Sequence, residues 1–324
     1  MATTQTLFTF FVAAAVVAFA APTSGQLTLD HYDHVCPQAL PTIKLLVDAA
    51  VGIEPRIGAS LVRLHFHDCF VNGCDASVLL DDTPTMKGEK MAKPNNNSLR
   101  GFDMIDQIKT AVNIVCFGNV VSCADILAVA ARDSIVALGG MPYDVLLGRQ
   151  DAMTASVDAA NAAIPNPLLD LPALISKFQS NNLTLQDLVV LSGAHTLGVA
   201  RCTTFRDRIY NETSTIDPDF AAALQAQCPR TGDDDVPHSL DETPAKVDTE
   251  YFTGLTQRKG LLHTDQQLFQ GDGSDADSLV KLYSENSDKF WADFGAAMVK
   301  MGNLSPLTGT DGEVRENCRV VNGD

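Results

Sequence analysis

Along most of the chain, apolar residues recur every three or four positions rather than every second one, which is the pattern of amphipathic helices. Residues 122–138 (SCADILAVAARDSIVAL) form an Ala/Leu/Val-rich segment of this kind, closed by Gly139-Gly140. Near the C-terminus, Phe290, Phe294, Met298 and Met301 fall at i, i+4, i+8 and i+11, a stripe that predicts a core-facing helix. Two-residue alternation is scarce and no internal repeat is visible, so the pattern predicts a mainly α fold with minimal β structure. The acidic, punctuated stretches 231–239 (TGDDDVPHS) and 270–278 (QGDGSDADS) read as surface loops.

Two segments carry polar residues on otherwise apolar faces. Residues 56–70 (RIGASLVRLHFHDCF) follow Pro55 and set Ile57, Leu61 and Leu64 at helical spacing. On that helix Arg63 and His67 are four residues apart and share a face, with Phe66 beside them and His65 pointing elsewhere. Residues 183–202 open on a capping-box pattern, Thr184-x-x-Asp187, and set Leu188, Leu191 and His195 on one helical stripe that ends at Gly198. Two helices, each offering one histidine from an apolar surface, could sandwich a flat cofactor.

The N-terminus changes the picture of where such a protein works. Residues 7–21 form an apolar run too short to span a bilayer comfortably, followed by small residues. It reads as an export signal, residues 1–25, with cleavage after Gly25 and a mature chain of residues 26–324. Eight cysteines suit an oxidising destination, although 105 pairings are possible by arithmetic alone. Sequons at Asn96, Asn182, Asn211 and Asn303 are consistent with the secretory route. With 324 residues and 45% apolar content, the chain can bury a full-sized core. A net charge of −17 and one tryptophan, Trp291, argue against nucleic acid or other polyanions as partners.

A cation and an imidazole on one helix face suit cleavage of a polar O–O bond. One proton has to move between the oxygens while negative charge builds on the departing one. A lone helical histidine is more often a core or surface group, and Arg63 could simply pair with a carboxylate. The turn that follows, residues 68–77 (DCFVNGCDAS), offers oxygen donors at Asp68, Asp75 and Ser77 around Gly73, equally suited to a calcium loop or an ordinary capped turn. His65-x-His67 with Asp68 would be a zinc site if the segment were extended, but residues two apart diverge on a helix.

Residues 63–80 (RLHFHDCFVNGCDASVLL) and 191–198 (LSGAHTLG) resemble, in order, the distal and proximal signatures of the secretory plant (class III) haem peroxidases, the family of the horseradish enzyme. Similarity extends from Gln26 to the C-terminus through VSCADILA (121–128), LGRQD (147–151), TDQQLF (264–269) and MGNLSPLTGTDGEVRENCRVVN (301–322). The resemblance implies the haem peroxidase fold, with two helical halves around one haem b, four disulfides and two calcium ions. It implies a secreted, monomeric enzyme of the cell wall or apoplast that reduces hydrogen peroxide and oxidises phenolic donors one electron at a time, without nucleic-acid or membrane partners.

By the same resemblance, His67 would move the peroxide proton, Arg63 would stabilise charge and Asn95 would hold His67. Phe66 would cover the haem edge, His195 would be the axial iron ligand and Asp265 would accept from its other nitrogen. Pro165 would line the donor-access channel. One calcium would use Asp68, Val71, Gly73, Asp75 and Ser77, with Glu89 linked through water. The other would use Thr196, Asp241, Thr243, Val247 and Asp248. Asp241-Glu242-Thr243 is one residue shorter than the commonest family spacing, and Leu197 and Leu240 stand where aromatics are often seen. The implied cysteine pairs are Cys36–Cys116, Cys69–Cys74, Cys123–Cys318 and Cys202–Cys228.

Overall fold

A computed structural model describes residues 25–323; the export-signal run at 7–21 lies outside the described residues. The first helical group comprises α1 (Ala39–Ile53), α2 (Arg56–Cys69), α3 (Phe102–Val115) and α4 (Cys123–Ala137). Helix α4 is buried on nearly every side, as its Ala/Leu/Val composition dictates, and both α1 and α2 pack along it. Ser122 starts it, its hydroxyl accepting from the Asp125 amide at 3.1 Å, and Gly139 ends it at a φ of 94°.

The short helix α5 (Val157–Ala163) leads to the second group: α6 (Leu171–Gln179), α7 (Leu185–Ser192), α8 (Cys202–Asn211), α9 (Pro218–Gln225), α10 (Glu250–Thr256), α11 (His263–Gln266), α12 (Asp275–Glu285) and α13 (Ser287–Gly302). Helix α7 packs against α13, α12 and α6, and α13 also reaches α2, so one continuous apolar core runs through both groups. Phe290, Phe294, Met298 and Met301 are all buried in it. A satellite core lies under α8 and α9. The fold is therefore mainly α, in two helical halves.

Four disulfides staple it: Cys36–Cys116, Cys69–Cys74, Cys123–Cys318 and Cys202–Cys228. A buried ion pair adds a second tie, with Arg149 Nη1 2.8 Å from Asp125 on α4 and Nη2 2.6 Å from the Gly302 carbonyl at the end of α13. Tyr32 and the Gly148 amide also donate to Asp125, so the buried charge is fully surrounded by partners.

Three local expectations are corrected. The acidic stretch 231–239 is not loop throughout: β2 (Pro237–Ser239) pairs antiparallel with β1 (Val199–Arg201), because the extended chain after Gly198 needs backbone partners. Helix α12 begins inside the second acidic stretch, capped by Ser274. The helix expected over 183–202 stops at Ser192, after the Thr184–Asp187 capping box it was expected to carry, and tightens into a 3₁₀ turn over Gly193–Thr196. His195 therefore leaves the α7 stripe and sits on that turn.

Close approach explains the tightening. A Cβ on Gly193 would lie 2.6 Å from Phe290 Cε2 and 2.8 Å from Phe252 Cζ, so the turn nests against two rings that only glycine admits. Gly193→Ala is expected to destabilise the protein by about 1–3 kcal/mol through overpacking. Chemical denaturation measures this, and an unchanged unfolding free energy would show that the rings yield without cost.

Candidate active site

Helix α2 is buried along most of its length, but Ala59, Arg63 and Phe66 keep partial exposure on one face. Beside them, His67 is buried and its Nδ1 lies 2.6 Å from Asn95 Oδ1. The Asn95 amide nitrogen is committed to the Glu89 carbonyl at 2.9 Å, so its oxygen faces the ring and Nδ1 carries the hydrogen. Nε2 of His67 is then left as the acceptor. Burial, reinforced by the nearby Arg63 charge, holds His67 well below the ordinary histidine range, with the Asn95 hydrogen bond only partly offsetting them.

Among the described residues, Arg63 has no carboxylate partner. Nη1 donates to the Ser98 carbonyl at 3.0 Å, and Nη2 to the Pro94 carbonyl at 2.9 Å and Ser98 Oγ at 3.1 Å. These acceptors are neutral, so the guanidinium is held in place without its charge being cancelled. Burial and then the Arg201 charge bring it down to about 10, still protonated at neutral pH. A single loop, residues 94–98, thus orients both Arg63 and His67.

On the other side, His195 Nδ1 lies 2.7 Å from Asp265 Oδ1. A carboxylate only accepts, so this nitrogen also carries its hydrogen and Nε2 keeps a free lone pair. Burial opposes protonation of His195, but the Asp265 charge and hydrogen bond outweigh it, and the net shift is upward. Protein encloses the ring, yet 40% of the side-chain surface is accessible, so it borders internal space rather than packed atoms.

The Arg63 charge bears on both histidine rings. A Cβ on Gly198, just past the His195 turn, would lie 3.1 Å from Ala59 Cβ on α2. From that contact α2 carries His67 eight residues onward, about 12 Å at helical rise. The segments carrying the two histidines thus meet at Ala59 and Gly198. Phe66 stands beside His67 with ring centroids 5.8 Å apart and packs on Phe70 at 4.2 Å. Pro165 is half-buried in the loop after α5; its neighbour Ile164 packs with Val71 and Ala92, next to the Asn95 loop.

The turn after α2 gathers oxygen atoms that nothing satisfies. Asp68 Oδ1, Ser77 Oγ and both Glu89 carboxylate oxygens are buried without a hydrogen-bond partner. Burial raises Asp68, Asp75 and Glu89, the last to about 8; Ser77 and the Ser156 amide, near Glu89 but outside hydrogen-bonding geometry, offset this only in part. Gly73, at a φ of 128°, would put a Cβ 2.4 Å from the Ser305 carbonyl oxygen. Hard oxygens left without partners in a tight turn could hold a hard cation such as calcium.

A second cluster lies beside His195. Thr196 Oγ1 is 2.7 Å from Asp241 Oδ2 and 3.2 Å from Asp248 Oδ1, and Thr243 Oγ1 is 3.1 Å from the same Asp248 oxygen. Burial raises Asp241 to about 6. The shortened 241–243 segment still brings Asp241 beside Thr196. Val247 is buried, its amide given to the Leu138 carbonyl at 2.9 Å.

His65 and His67 diverge. His65 is buried against Cys69 Sγ at 3.6 Å, and burial with the Arg149 charge lowers it to about 3. The neighbouring sulfurs, Cys69 and Cys74, are joined to each other, so no zinc thiolate site exists there. Trp291 is half-buried against Phe290 at 4.8 Å, in a packing position. Two residues were missed in the sequence: Arg201 on β1, whose charge reaches Arg63, and Tyr251 on α10, which donates to Asp265. Neither contact has any local sequence signal.

A family model described as Peroxidase matches residues 43–286. Peroxidase RIP1 of Medicago truncatula is 58% identical over 97% of this chain and 97% of its own. Peroxidase 4 of Vitis vinifera is 53% identical over 96% and 97%, and Peroxidase 68 of Arabidopsis thaliana 50% identical over 97% and 96%. The chain belongs to the peroxidase family, as a class III plant peroxidase: an enzyme that reduces hydrogen peroxide while oxidising donor molecules, with the haem that the family implies.

Proposed function

We propose that His67 and Arg63 move the proton and stabilise the charge as the peroxide O–O bond breaks, that His195 would hold the iron of a haem, and that phenolic donors are then oxidised by single electrons. The residues fit such a group: two imidazoles each have a hydrogen-bonded Nδ1 and an Nε2 left as acceptor, the Arg63 charge reaches both, and 40% of the His195 side chain is accessible. When bound, the haem would supply the redox chemistry, passing two electrons to peroxide and drawing them back singly from donors.

The chain's own residues account for the proton and the charge. Neutral His67 takes the peroxide proton at Nε2, because Asn95 fixes the tautomer and burial keeps the ring uncharged. It returns that proton to the departing oxygen. Arg63, unpaired with any carboxylate, stabilises the negative charge that develops there. Asp265 makes His195 a more electron-rich ligand by drawing on Nδ1–H. Phe66 limits access by bulky groups, and Pro165 lines the donor edge. Arg201, whose charge reaches Arg63, is itself paired with Asp235 at 2.6 Å.

The observation that carries this reading is the unequal pair of acceptors, a neutral amide at His67 and a carboxylate at His195. His67→Ala is expected to slow peroxide cleavage by roughly 10²–10⁴, the span for a lost acid–base group. Stopped-flow mixing of the haem-loaded protein with peroxide measures it, and an unchanged rate would remove His67 from the role.

Two calcium ions complete the proposed active enzyme, one held by Asp68, Val71, Gly73, Asp75 and Ser77 with Glu89 reached through water, the other by Thr196, Asp241, Thr243, Val247 and Asp248. Secretion is supported by four disulfides and the export signal at residues 1–25, with residues 26–324 forming the peroxidase domain. Exhaustive chelation is expected to lower the melting temperature by about 5 °C or more, by loss of binding free energy, with recovery on adding calcium. Equal melting temperatures with and without calcium would count against both sites.

A further inference from the structure

Asp265 does not serve His195 alone. Tyr251 donates its phenol hydrogen to Asp265 Oδ1 at 3.0 Å, the same oxygen that accepts from His195 Nδ1 at 2.7 Å. The other oxygen, Oδ2, meets only the Leu262 amide, at a longer 3.3 Å. Tyr251 and Asp265 are both buried, so water does not compete for the hydrogen bond between them. Burial, together with the Asp265 charge, holds the Tyr251 phenol well above its ordinary range, and it stays a donor at any working pH. Ser192, the other hydroxyl beside it, is committed to the Leu188 carbonyl at 2.8 Å. The phenol ring also stands edge-on to the imidazole, centroids 6.0 Å apart at 86°.

A carboxylate oxygen that accepts two hydrogen bonds divides its negative charge between them, and each donor weakens the other's bond. We propose that Tyr251 is a positioning residue that attenuates the pull of Asp265 on His195 Nδ1–H, and thereby sets how electron-rich an Nε2 the chain offers to iron. This rests on the reading of His195 as the iron ligand. It goes beyond that reading because it assigns a third residue, from a different helix, to the control of that ligand. It also has a fixed sign: removing the hydroxyl leaves the carboxylate's full acceptor strength on His195, which favours the more highly charged ferric iron.

The test compares haem-loaded wild type with Tyr251→Phe, which keeps the ring and loses only the hydroxyl. Two quantities are read: the ferric/ferrous midpoint potential and the iron–imidazole stretching frequency of the ferrous protein by resonance Raman. The ferric form is expected to be favoured several-fold, up to about tenfold, which for a one-electron couple is about 59 mV downward. The stretching frequency is expected to rise. In an Asp265→Asn background, where no carboxylate charge remains to be shared, Tyr251→Phe is expected to move neither quantity. A role in packing alone would change the melting temperature and leave the potential in place. An unmoved potential, an upward shift, or an equal shift in the Asp265→Asn background overturns the proposal. A wild-type protein lacking the iron–imidazole band would remove His195 as the ligand, a separate failure that takes this inference with it.

Discussion

A free imidazole can bind a metal or move a proton, and the atom bonded to its Nδ1 decides which it does better. In this protein the choice is between an uncharged oxygen, Asn95 Oδ1 at 2.6 Å from His67, and a charged one, Asp265 Oδ1 at 2.7 Å from His195. The distances are nearly equal, so geometry does not separate the two residues; charge does. Beside a carboxylate the ring is shifted upward and becomes a strong electron donor through Nε2. Beside an amide, and near the positive Arg63, the other ring is driven downward and stays a neutral acceptor. Without this asymmetry the two imidazoles would be equivalent as ligands and as proton acceptors.

Much of the surrounding structure serves to hold those two acceptors. Asn95 sits in a loop whose carbonyls also fix Arg63, and whose start is anchored by the buried Glu89 beside the oxygen-lined turn. That turn is stapled by Cys69–Cys74 directly after α2. Asp265 lies on a single helical turn, α11, between two pinned neighbours. His263 contacts both Glu212 and Asp170, while Gln266 accepts from the buried Arg208 at 3.3 Å and donates to two carbonyls. Both ring partners are thus set by long-range polar ties rather than by the helices that carry the histidines.

That division explains what the sequence could disclose. The Arg63/His67 face was legible because it depends only on helical periodicity within α2, and the Thr184 cap because its signal is local. The placing of His195 on a continuous helical stripe fails, since the 3₁₀ turn is forced by Phe252 and Phe290, which are distant in sequence from Gly193. The pairing of residues 237–239 with 199–201 was hidden for the same reason. Asn95 and Asp265 entered only through family resemblance, because a loop asparagine and an acidic residue after a histidine look ordinary by composition. Tyr251 and Arg201 were not legible at all: each acts across more than one element, on a group that local pattern cannot reveal.

The central claim, that one histidine binds iron while the other is held off it, is tested most directly by the ferric haem-loaded protein at neutral pH without peroxide. Its absorption and electron paramagnetic resonance spectra report coordination and spin state together. The account predicts high-spin iron with a single imidazole ligand and an open sixth position. A low-spin spectrum of two bound imidazoles, or a single-imidazole spectrum that survives unchanged in His195→Ala, would contradict it.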